Sequence, residues 1–316
     1  MDIFLPAGLT GRPATMNDFD ALLALLQAHD VFEIGEPDTS REDLLSEWQR
    51  PRFDLATDTW VVETAAGEIV GYAESWEKEP HVTIDSAGTV HPGHFGRGIG
   101  TALMQWCDDR ARAHIPLAPP GVQVTNSHIT SHQNSAARAL FEQHGYHPVR
   151  SFWRMEIDLA QLPPAPQWPD GITVHAMNPD SEVHATFEAV EEAFADHWGH
   201  VLQTFDDWAA RSIARDDFDA SLFFLAMDGD QVAGTSLCYL WPDLGWVRYL
   251  AVRRPWRQHG LGMALLRHSF GEFHRRGARK VGLGVDSENT TGATRLYERA
   301  GMHVAQQFDF FEKVLA

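Results

Sequence analysis

The chain has 316 residues, of which 44% are hydrophobic and 22% are charged, and its formal net charge at pH 7 is −19. This balance is typical of a folded globular chain long enough for two ordinary domains, and it excludes an intrinsically disordered protein. The negative charge repels phosphate backbones, so nucleic acid is excluded as a favoured partner, whereas cationic small molecules are attracted.

The N-terminal stretch lacks the basic and apolar regions of a signal peptide, and no run approaches about 18 consecutive apolar residues. We therefore expect a cytoplasmic protein without a membrane partner. The only two cysteines, Cys107 and Cys238, lie in patterned apolar segments. Core packing is therefore expected for both, rather than a disulfide framework.

The predicted elements come in the same order in each half of the chain. Amphipathic helices come first, with apolar residues near helical spacing from Leu22 to Leu26 and from Phe187 to Phe194. Hairpins follow at residues 59–75 and 221–240. Strands that alternate with helices after such a meander indicate a mixed sheet with helices on both faces, so the predicted class is α/β, twice.

After its hairpin, each half continues with a strand, a glycine-rich turn, a helix, a further strand, a short helix and a closing strand. The further and closing strands are predicted at residues 121–126 and 149–158 in the first half, and at 279–286 and 304–314 in the second. This shared order indicates that one supersecondary plan occurs twice.

Sequence landmarks repeat at nearly one spacing, which indicates a duplicated domain. By subtraction, the offset is 161 from Met16 to Met177, 162 from Gly98 to Gly260, and 156 from Gly145 to Gly301. Between the copies lies "LPPAPQWPDG", whose prolines prevent a continuing helix and suit a semi-rigid linker. We predict an N-terminal domain over residues 1–160, a linker over 161–170 and a C-terminal domain over 171–316.

The glycine-rich turn of the second half reads "RQHGLGMALL", residues 257–266. A helix that begins directly after a strand points unpaired backbone amides at whatever lies beyond its first turn, which makes an anion site. Gly260 and Gly262 allow close approach, and Arg257 adds a planar charged fork suited to phosphate. The pattern is neither a P-loop nor a dinucleotide fingerprint. Glycines that serve only tight helix packing are the alternative, and the recurrence of the turn argues against it.

This turn, preceded by "LAV" and followed by "VDSENTTGATRLYERAGM", resembles the acetyl-CoA-binding segment and terminal signature of the GNAT N-acetyltransferases. The duplication is similar to that of mycothiol synthase and related two-module actinobacterial acetyltransferases. The resemblance implies two tandem GNAT-like domains, each a mixed, mostly antiparallel sheet flanked by helices, which together form a pseudo-dimer. It also implies acetyl-CoA as the donor and CoA as a product.

In that family the strand before the turn splays from its neighbour and its backbone pairs with pantetheine, while the pyrophosphate sits on the turn. The cofactor-binding residues that the resemblance implies in the second domain are Leu250, Ala251, Val252, Arg257, Gln258, His259, Gly260, Leu261, Gly262, Met263 and Asn289. Asn289 has a second interpretation, as the cap of the following helix.

The resemblance also implies catalytic roles in the second domain. The Val252 backbone amide would polarise the acetyl carbonyl, and Tyr297 would be the general acid, unless it is only a core tyrosine. The strand before the turn carries no glutamate to act as general base. His197 is the first choice and Asp286 the second, with Glu188, Glu191, Glu192 and a water chain as further candidates. No metal is expected, because His197 and His200, like His128 and His132, lack clear carboxylate or cysteine partners.

The first domain departs from the family pattern at two positions. Phe95 stands where arginine or glutamine is expected, and Phe141, which has no proton to give, stands at the tyrosine position. The corresponding cofactor residues are Thr89, Val90, Gly96, Arg97, Gly98, Ile99, Gly100, Thr101 and Asn134. We predict that this domain binds acyl-CoA weakly or only supports the second, and that it does not acetylate.

The sequence therefore predicts an N-acetyltransferase that transfers acetyl from acetyl-CoA to a primary amine of a small cationic molecule, by direct attack in a ternary complex. The assembly expected is a monomer with an internal pseudo-dimer, or a homodimer. A non-catalytic acyl-CoA sensor or scaffold is the alternative from another class. A mycothiol-synthase-like acetyltransferase is a narrower version of the main hypothesis, because shared architecture does not transfer substrate.

Overall fold

The structure, a computed structural model, describes residues 3–77, 80–200, 202–289 and 291–316. The chain divides into two compact units, of which the first comprises Met1–Ser151 with Phe308–Ala316 and the second comprises Phe152–Gln307. Each unit has a mixed, mostly antiparallel sheet with helices, so the predicted α/β class is confirmed.

The first unit contains, in chain order, β1 (Leu9–Arg12), α1 (Phe19–Ile34), α2 (Arg41–Trp48), α3 (Leu55–Asp58), β2 (Thr59–Thr64), β3 (Ile69–Glu77), β4 (Thr83–Val90), α4 (Ile99–His114), β5 (Thr125–Ser131), α5 (Ser135–Gln143) and the start of β6 (His147–Asp158). The second unit contains the rest of β6, then β7 (Ile172–Ala176), α6 (Val183–Phe194), α7 (Phe205–Ser212), β8 (Phe223–Asp228), β9 (Gln231–Leu240), β10 (Leu244–Val252), α8 (Leu261–Arg275), β11 (Lys280–Asp286), α9 (Ala293–Arg299) and the start of β12 (His303–Val314).

The strand orders of the two units are equivalent. They are β1-β2-β3-β4-β5-β12 in the first unit and β7-β8-β9-β10-β11-β6 in the second. In each, the fourth and fifth strands are parallel and the other neighbours are antiparallel. The duplication inferred from the sequence therefore extends to the topology.

The units differ from the predicted domain ranges at their closing strands. Residues 152–160 belong to the second unit, although they fall within the predicted range 1–160, and residues 308–316 belong to the first. The reason is pairing: Phe308 to Val314 pair with β5, and Phe152 to Asp158 pair with β11. Each unit is thus completed by a strand from the other half of the sequence.

The helices differ in whether a side chain caps their first turn. At α2, Ser40 Oγ accepts a hydrogen bond from the Asp43 amide at 3.0 Å, and at α7, Thr204 Oγ1 accepts one from the Asp207 amide at 3.1 Å. By contrast, α4 and α8 begin at Gly98 and Gly260, and neither helix has a side-chain cap. The two helices that follow a glycine-rich turn thus keep their first amides uncovered.

Apolar clusters lie on both faces of the sheet in the second unit. Phe270 and Phe273 of α8 are buried in one cluster, while Val190 of α6 and Trp208 of α7 are buried in the other. This placement confirms the expected helices on both faces. The carboxyl end of β10 therefore lies between α6 and α8, and the predicted site is at this end.

The strand predicted at residues 121–126 is wrong in position, because β5 begins at Thr125 and runs to Ser131. The pattern failed because buried residues of β5 are polar. Asn126 donates to Tyr146 Oη at 2.7 Å, and buried His128 stacks on Phe141 with ring centroids 4.9 Å apart. Burial lowers the pKa of His128 to about 3, so this side chain is a neutral core residue.

Both cysteines are free and fully buried, as predicted for core residues. Among the residues that the structure describes, no helix is both long enough and apolar enough to cross a bilayer.

Candidate active site

An open wedge separates β10 from β11 in the second unit. These parallel strands pair only where Leu244 to Trp246 face Lys280 to Gly282, whereas β10 continues to pair with β9 as far as Val252. The edge of β10 from residue 247 onward is therefore free of strand partners on the β11 side, within the described residues. This is the splay that the family resemblance implies.

The backbone amides of Leu250 and Val252 point into this wedge. The Arg253 amide donates to the Ala233 carbonyl of β9 at 3.0 Å, and amide directions alternate along an antiparallel strand. A register shift between Val247 and Tyr249 also marks a β-bulge, which bends the strand and re-aims its groups. Within the part of the chain that the structure describes, these two amides are donors without a strand partner, on the edge where the resemblance implies a pantetheine arm.

The start of α8 forms an anion cradle at the end of β10. Ala264 donates the first intrahelical bond, to the Gly260 carbonyl, so the amides of Leu261, Gly262 and Met263 have no helical acceptor. Gly260 has a φ of 85°, and a Cβ placed there would meet nothing within 4 Å. The preceding Gln258 also has a positive φ, 67°. Open space and bare amides make this position suited to a diphosphate.

The two glycines of the turn have different tasks. A Cβ on Gly262 would lie 3.1 Å from Leu296 Cδ1, so this glycine lets α8 and α9 approach closely. The packing interpretation therefore fits Gly262, while the open position of Gly260 fits ligand approach.

Arg257 uses its guanidinium within the protein. Nε donates to the Val252 carbonyl at 3.0 Å, Nη2 donates to the Ala193 carbonyl of α6 at 2.9 Å, and Nη1 lies 3.3 Å from Asp196 Oδ2. These contacts bring Arg257 to the open side of β10. Its role toward a phosphate stays a prediction.

Tyr297 of α9 is 7% exposed and belongs to the apolar cluster that Leu250 and Val252 also contact. Burial raises its pKa to about 12, and within the described chain its hydroxyl makes no hydrogen bond. Asn289 Oδ1 accepts from the Thr291 amide at 2.8 Å and from the Ala293 amide, the first of α9, at 3.4 Å, while the N-cap residue of that helix is Gly292. The role of Asn289 toward a cofactor stays a prediction.

The two leading candidates for the general base lie near one another. Burial lowers the pKa of His197, and the negative charge of Asp286 opposes that effect. Asp286, at the end of β11, is 7% exposed, and its Oδ1 accepts a hydrogen bond from the Glu288 amide at 2.9 Å. His197 stacks on Phe194 with ring centroids 4.4 Å apart. The charge of Asp286 thus acts on His197, a relation that sequence reasoning could not predict.

The glutamates of α6 are engaged elsewhere or exposed. Glu192 accepts from Arg253 Nε at 2.6 Å, and Glu191 accepts from Gln203 Nε2 at 2.7 Å, with His200 Nε2 3.5 Å away. Glu188 is exposed. Of these, buried Glu191 adds negative charge beside the segment that carries His197.

Aromatic residues at this site escaped the sequence analysis. Tyr249 packs edge-to-face on Phe194 at 5.5 Å, and Trp198 lies 6.4 Å from Phe152 of β6. Phe152 lies in the first half of the sequence, shortly after Gly145, so no local signal predicts that it belongs to the second unit. The aromatic residues of "AFADHWGH", residues 193–200, were a local hint in the sequence.

A cavity of about 290 Å³ lies beside the turn but away from these groups. Its lining is Pro169, Asp170, Ile172, Asp228, Pro255, Trp256, His259 and Leu261. It includes His259 and Leu261 of the predicted cofactor set but neither Val252 nor Tyr297, so it is distinct from the wedge.

The first unit has an equivalent wedge and an equivalent cradle. The parallel strands β4 and β5 pair only where Thr83 to Asp85 face Thr125 to Ser127. Gly98 has a φ of 82°, and Ala102 donates the first bond of α4 to its carbonyl, so the amides of Ile99, Gly100 and Thr101 have no helical acceptor. The neighbouring strands β3 and β4 pair without a bulge.

Polar side chains bridge the wedge of the first unit. His29 Nδ1 lies 3.2 Å from the Val90 carbonyl, and His29 Nε2 lies 3.4 Å from Glu33 Oε1. Glu33 in turn accepts from Asn134 Nδ2 at 2.5 Å and from Thr130 Oγ1 at 3.3 Å. This chain joins the end of β4 to the end of β5, so we call it the His29–Glu33 bridge.

Electrostatics within the bridge favour an ion pair. Burial alone would lower the pKa of His29, but the hydrogen bond and charge of Glu33 outweigh it and raise the pKa. Burial likewise opposes ionisation of Glu33, yet the bonds from His29 and Asn134 lower its pKa. Predicted cofactor residues Val90 and Asn134 are thus bound by the protein itself. Phe95 packs on Phe32 with ring centroids 5.0 Å apart, and its side chain has no hydrogen-bond donors like those of the Arg257 guanidinium.

Comparisons with known proteins identify both units. Residues 185–302 match the acetyltransferase (GNAT) family, and residues 56–148 match an acetyltransferase (GNAT) domain. The chain is 30% identical to the mycothiol acetyltransferase of Cellulomonas flavigena, over 95% of this chain and 87% of that protein. The chain belongs to the GNAT acetyltransferase family. The mycothiol acetyltransferase of Geodermatophilus obscurus is also 30% identical, over 89% of each chain.

Solved structures agree with this assignment. A GCN5-related N-acetyltransferase from Sphaerobacter thermophilus is 39% identical, with a TM-score of 0.83, and the match covers 98% of this chain and 97% of that one. A tandem GNAT protein from the clavulanic acid biosynthesis pathway matches with a TM-score of 0.75 over 98% and 99% of the chains; at 18% identity it shows the fold alone. This GNAT protein is therefore an acetyl-CoA-dependent acyltransferase, which favours the enzyme over the sensor hypothesis.

Proposed function

We propose that this GNAT protein transfers acetyl from acetyl-CoA to a primary amine of a small cationic molecule, and that the reaction takes place in the second unit. One contrast carries the proposal. The second unit presents an open wedge with the Leu250 and Val252 amides, whereas the wedge of the first is crossed by the His29–Glu33 bridge. Both units keep a helix-start cradle, so the difference lies where the acyl group would sit.

The chemistry follows from the donors around the wedge. The amine nitrogen attacks the thioester carbonyl, a C–N bond forms, and the C–S bond then breaks. The Val252 amide stabilises the negative charge that develops on the carbonyl oxygen. Tyr297 protonates the departing thiolate. Its pKa of about 12 is a poor match to a thiol in water, but the same apolar surroundings also raise the pKa of the thiol.

His197 accepts the proton that the attacking amine loses, with Asp286 beside it to stabilise the imidazolium. Because burial lowers the pKa of His197, the neutral base persists to lower pH than an ordinary histidine would. Asp286 is the weaker candidate for the base, because its Oδ1 already accepts a hydrogen bond from the Glu288 amide.

Negative charge supports a cationic acceptor. The chain carries −19 overall, Asp286 adds negative charge that acts on His197, and Glu191 lies 3.5 Å from His200 Nε2. The relatives named mycothiol acetyltransferase make a mycothiol-type amine the narrower second candidate. A cytoplasmic location remains part of this proposal, and free, buried cysteines are consistent with it.

Turnover of acetyl-CoA over a panel of amines tests the function. The panel contains amino sugars, a mycothiol-type amine, amino-acid derivatives and uncharged or anionic amines of similar size. We expect free CoA release with cationic members at least about ten-fold faster than with anionic ones. Tight acetyl-CoA binding without CoA release from any member would favour the sensor hypothesis instead.

The pH profile tests His197 as the base. We expect kcat/KM to rise with pH through an apparent pKa below the ordinary value of about 6.5, because only the neutral imidazole accepts a proton. In His197→Gln this acidic limb should disappear and kcat should fall by about 10²-fold or more. His303→Gln, an exposed histidine of the same unit, is the control. A limb that persists unchanged in His197→Gln assigns the base elsewhere.

A further inference from the structure

Three arginines around the turn hold the end of α6 and the segment after it. Arg253 binds Glu192 at 2.6 Å, Arg254 binds Asp196 at 2.5 Å, and Arg257 binds the Ala193 carbonyl at 2.9 Å. The segment after α6, residues 195–200, carries His197, the proposed base. We call it the acceptor segment.

Arg257 differs from the other two because it alone also binds the end of β10. Its Nε donates to the Val252 carbonyl at 3.0 Å, and its Nη1 lies 3.3 Å from Asp196. The rigid guanidinium of Arg257 thus connects Val252, whose amide would face the acyl group, to Asp196 of the acceptor segment. A planar fork with fixed donor directions can hold three acceptors at set distances, which a flexible ammonium cannot.

The first unit lacks this link. Phe95 occupies the position of Arg257, and the Val90 carbonyl, equivalent to that of Val252, is bound by His29 of α1 instead. Among the described residues, the three-way contact is therefore found in the unit with the open wedge and not in the other.

We propose that Arg257 is a positioning residue: it sets the distance between the Val252 amide and the acceptor segment, so that the bound amine meets the acetyl carbonyl. This inference rests on the proposed function and deepens it. It assigns Arg257 a task toward the acceptor, in addition to its predicted place beside the diphosphate. Effective positioning of two reactants is sensitive to shifts of about 1 Å.

Arg257→Lys tests the proposal, because lysine keeps the positive charge beside the diphosphate but loses the fork. We expect the KM for the amine to rise about ten-fold while the Kd for acetyl-CoA changes less than about three-fold. Amide hydrogen exchange over residues 195–200 should accelerate about ten-fold in the protein without substrates, since the segment loses its anchor. Arg254→Lys is the matched control, because Arg254 binds Asp196 but no carbonyl of Val252 or Ala193.

Weakened acetyl-CoA binding with unchanged amine KM and unchanged exchange would overturn the proposal and leave Arg257 as a phosphate ligand alone. Equal acceleration in Arg254→Lys would also overturn it, because Asp196 and not the fork would then hold the segment. The exchange measurement needs no acceptor, so it stands even if no amine is acetylated. Failure of the proposed function and failure of this inference are thus distinguishable.

Discussion

Tyr297→Phe is expected to lower kcat by about 10²- to 10³-fold while leaving the Kd for acetyl-CoA and the thermal stability nearly unchanged. The ring remains in its apolar cluster, and the hydroxyl that is removed has no hydrogen-bond partner among the described residues, so no buried group loses a partner. The loss should therefore appear in the proton transfer to the thiolate. Steady-state rates with calorimetry and a thermal melt measure all three quantities.

The first unit supplies the control for this substitution. Phe141 occupies the equivalent position on α5 and is equally buried, at 7% exposure. Phe141→Tyr should not raise the rate, because the wedge beside it is crossed by the His29–Glu33 bridge. A kcat within about three-fold of the parent in Tyr297→Phe would remove Tyr297 from the mechanism.

Phe311→Ala is expected to destabilise the first unit by about 3–5 kcal/mol, although the residue lies near the end of the chain. Phe311 is fully buried and packs against Phe141 with ring centroids 5.3 Å apart. Its strand also carries Lys313, which binds Asp108 at 2.6 Å, and Asp309, which binds His132 at 2.8 Å. Urea unfolding followed by fluorescence should show an earlier transition for the tryptophans of the first unit.

Val314→Ala is the control for Phe311→Ala, because Val314 is on the same strand but 57% exposed, and we expect a change below about 0.5 kcal/mol. If Phe311→Ala cost less than about 1 kcal/mol, or if the tryptophans of the second unit responded first, residues 308–316 would not complete the core of the first unit.

The sequence was sufficient to predict the duplication, the α/β class and the turn before α8. Glycines at the turn and the spacing of apolar residues are local signals that can be identified in the sequence. Two things were not local. The closing strands β6 and β12 have similar alternation, so pattern cannot decide which sheet each one joins. The buried residues of β5 are polar and form hydrogen bonds inside the unit, as Asn126 does with Tyr146. Because the prediction relied on apolar residues, it placed this strand too early in the sequence.

The site shows the same division. Gly260 and Tyr297 were identified from motifs, Gly260 begins α8 and Tyr297 lies in the apolar cluster that Leu250 and Val252 contact, and their roles stay predictions. The His29–Glu33 bridge reaches Val90 from His29, 61 residues away, and Asn134 from Glu33, 101 residues away, and Arg257 reaches the Ala193 carbonyl, 64 residues away. No spacing in the sequence indicates such pairs.

Calorimetric titration with acetyl-CoA, comparing the parent chain with Gly260→Glu and Gly98→Glu, tests the central claim most directly. The two glycines are matched, because each begins a helix with a φ near 85° or 82° and each substitution adds the same strain and charge. We predict one acetyl-CoA per chain in the parent and in Gly98→Glu, and no measurable binding in Gly260→Glu. Binding that survives in Gly260→Glu and is lost in Gly98→Glu would place the donor site in the first unit and contradict this account.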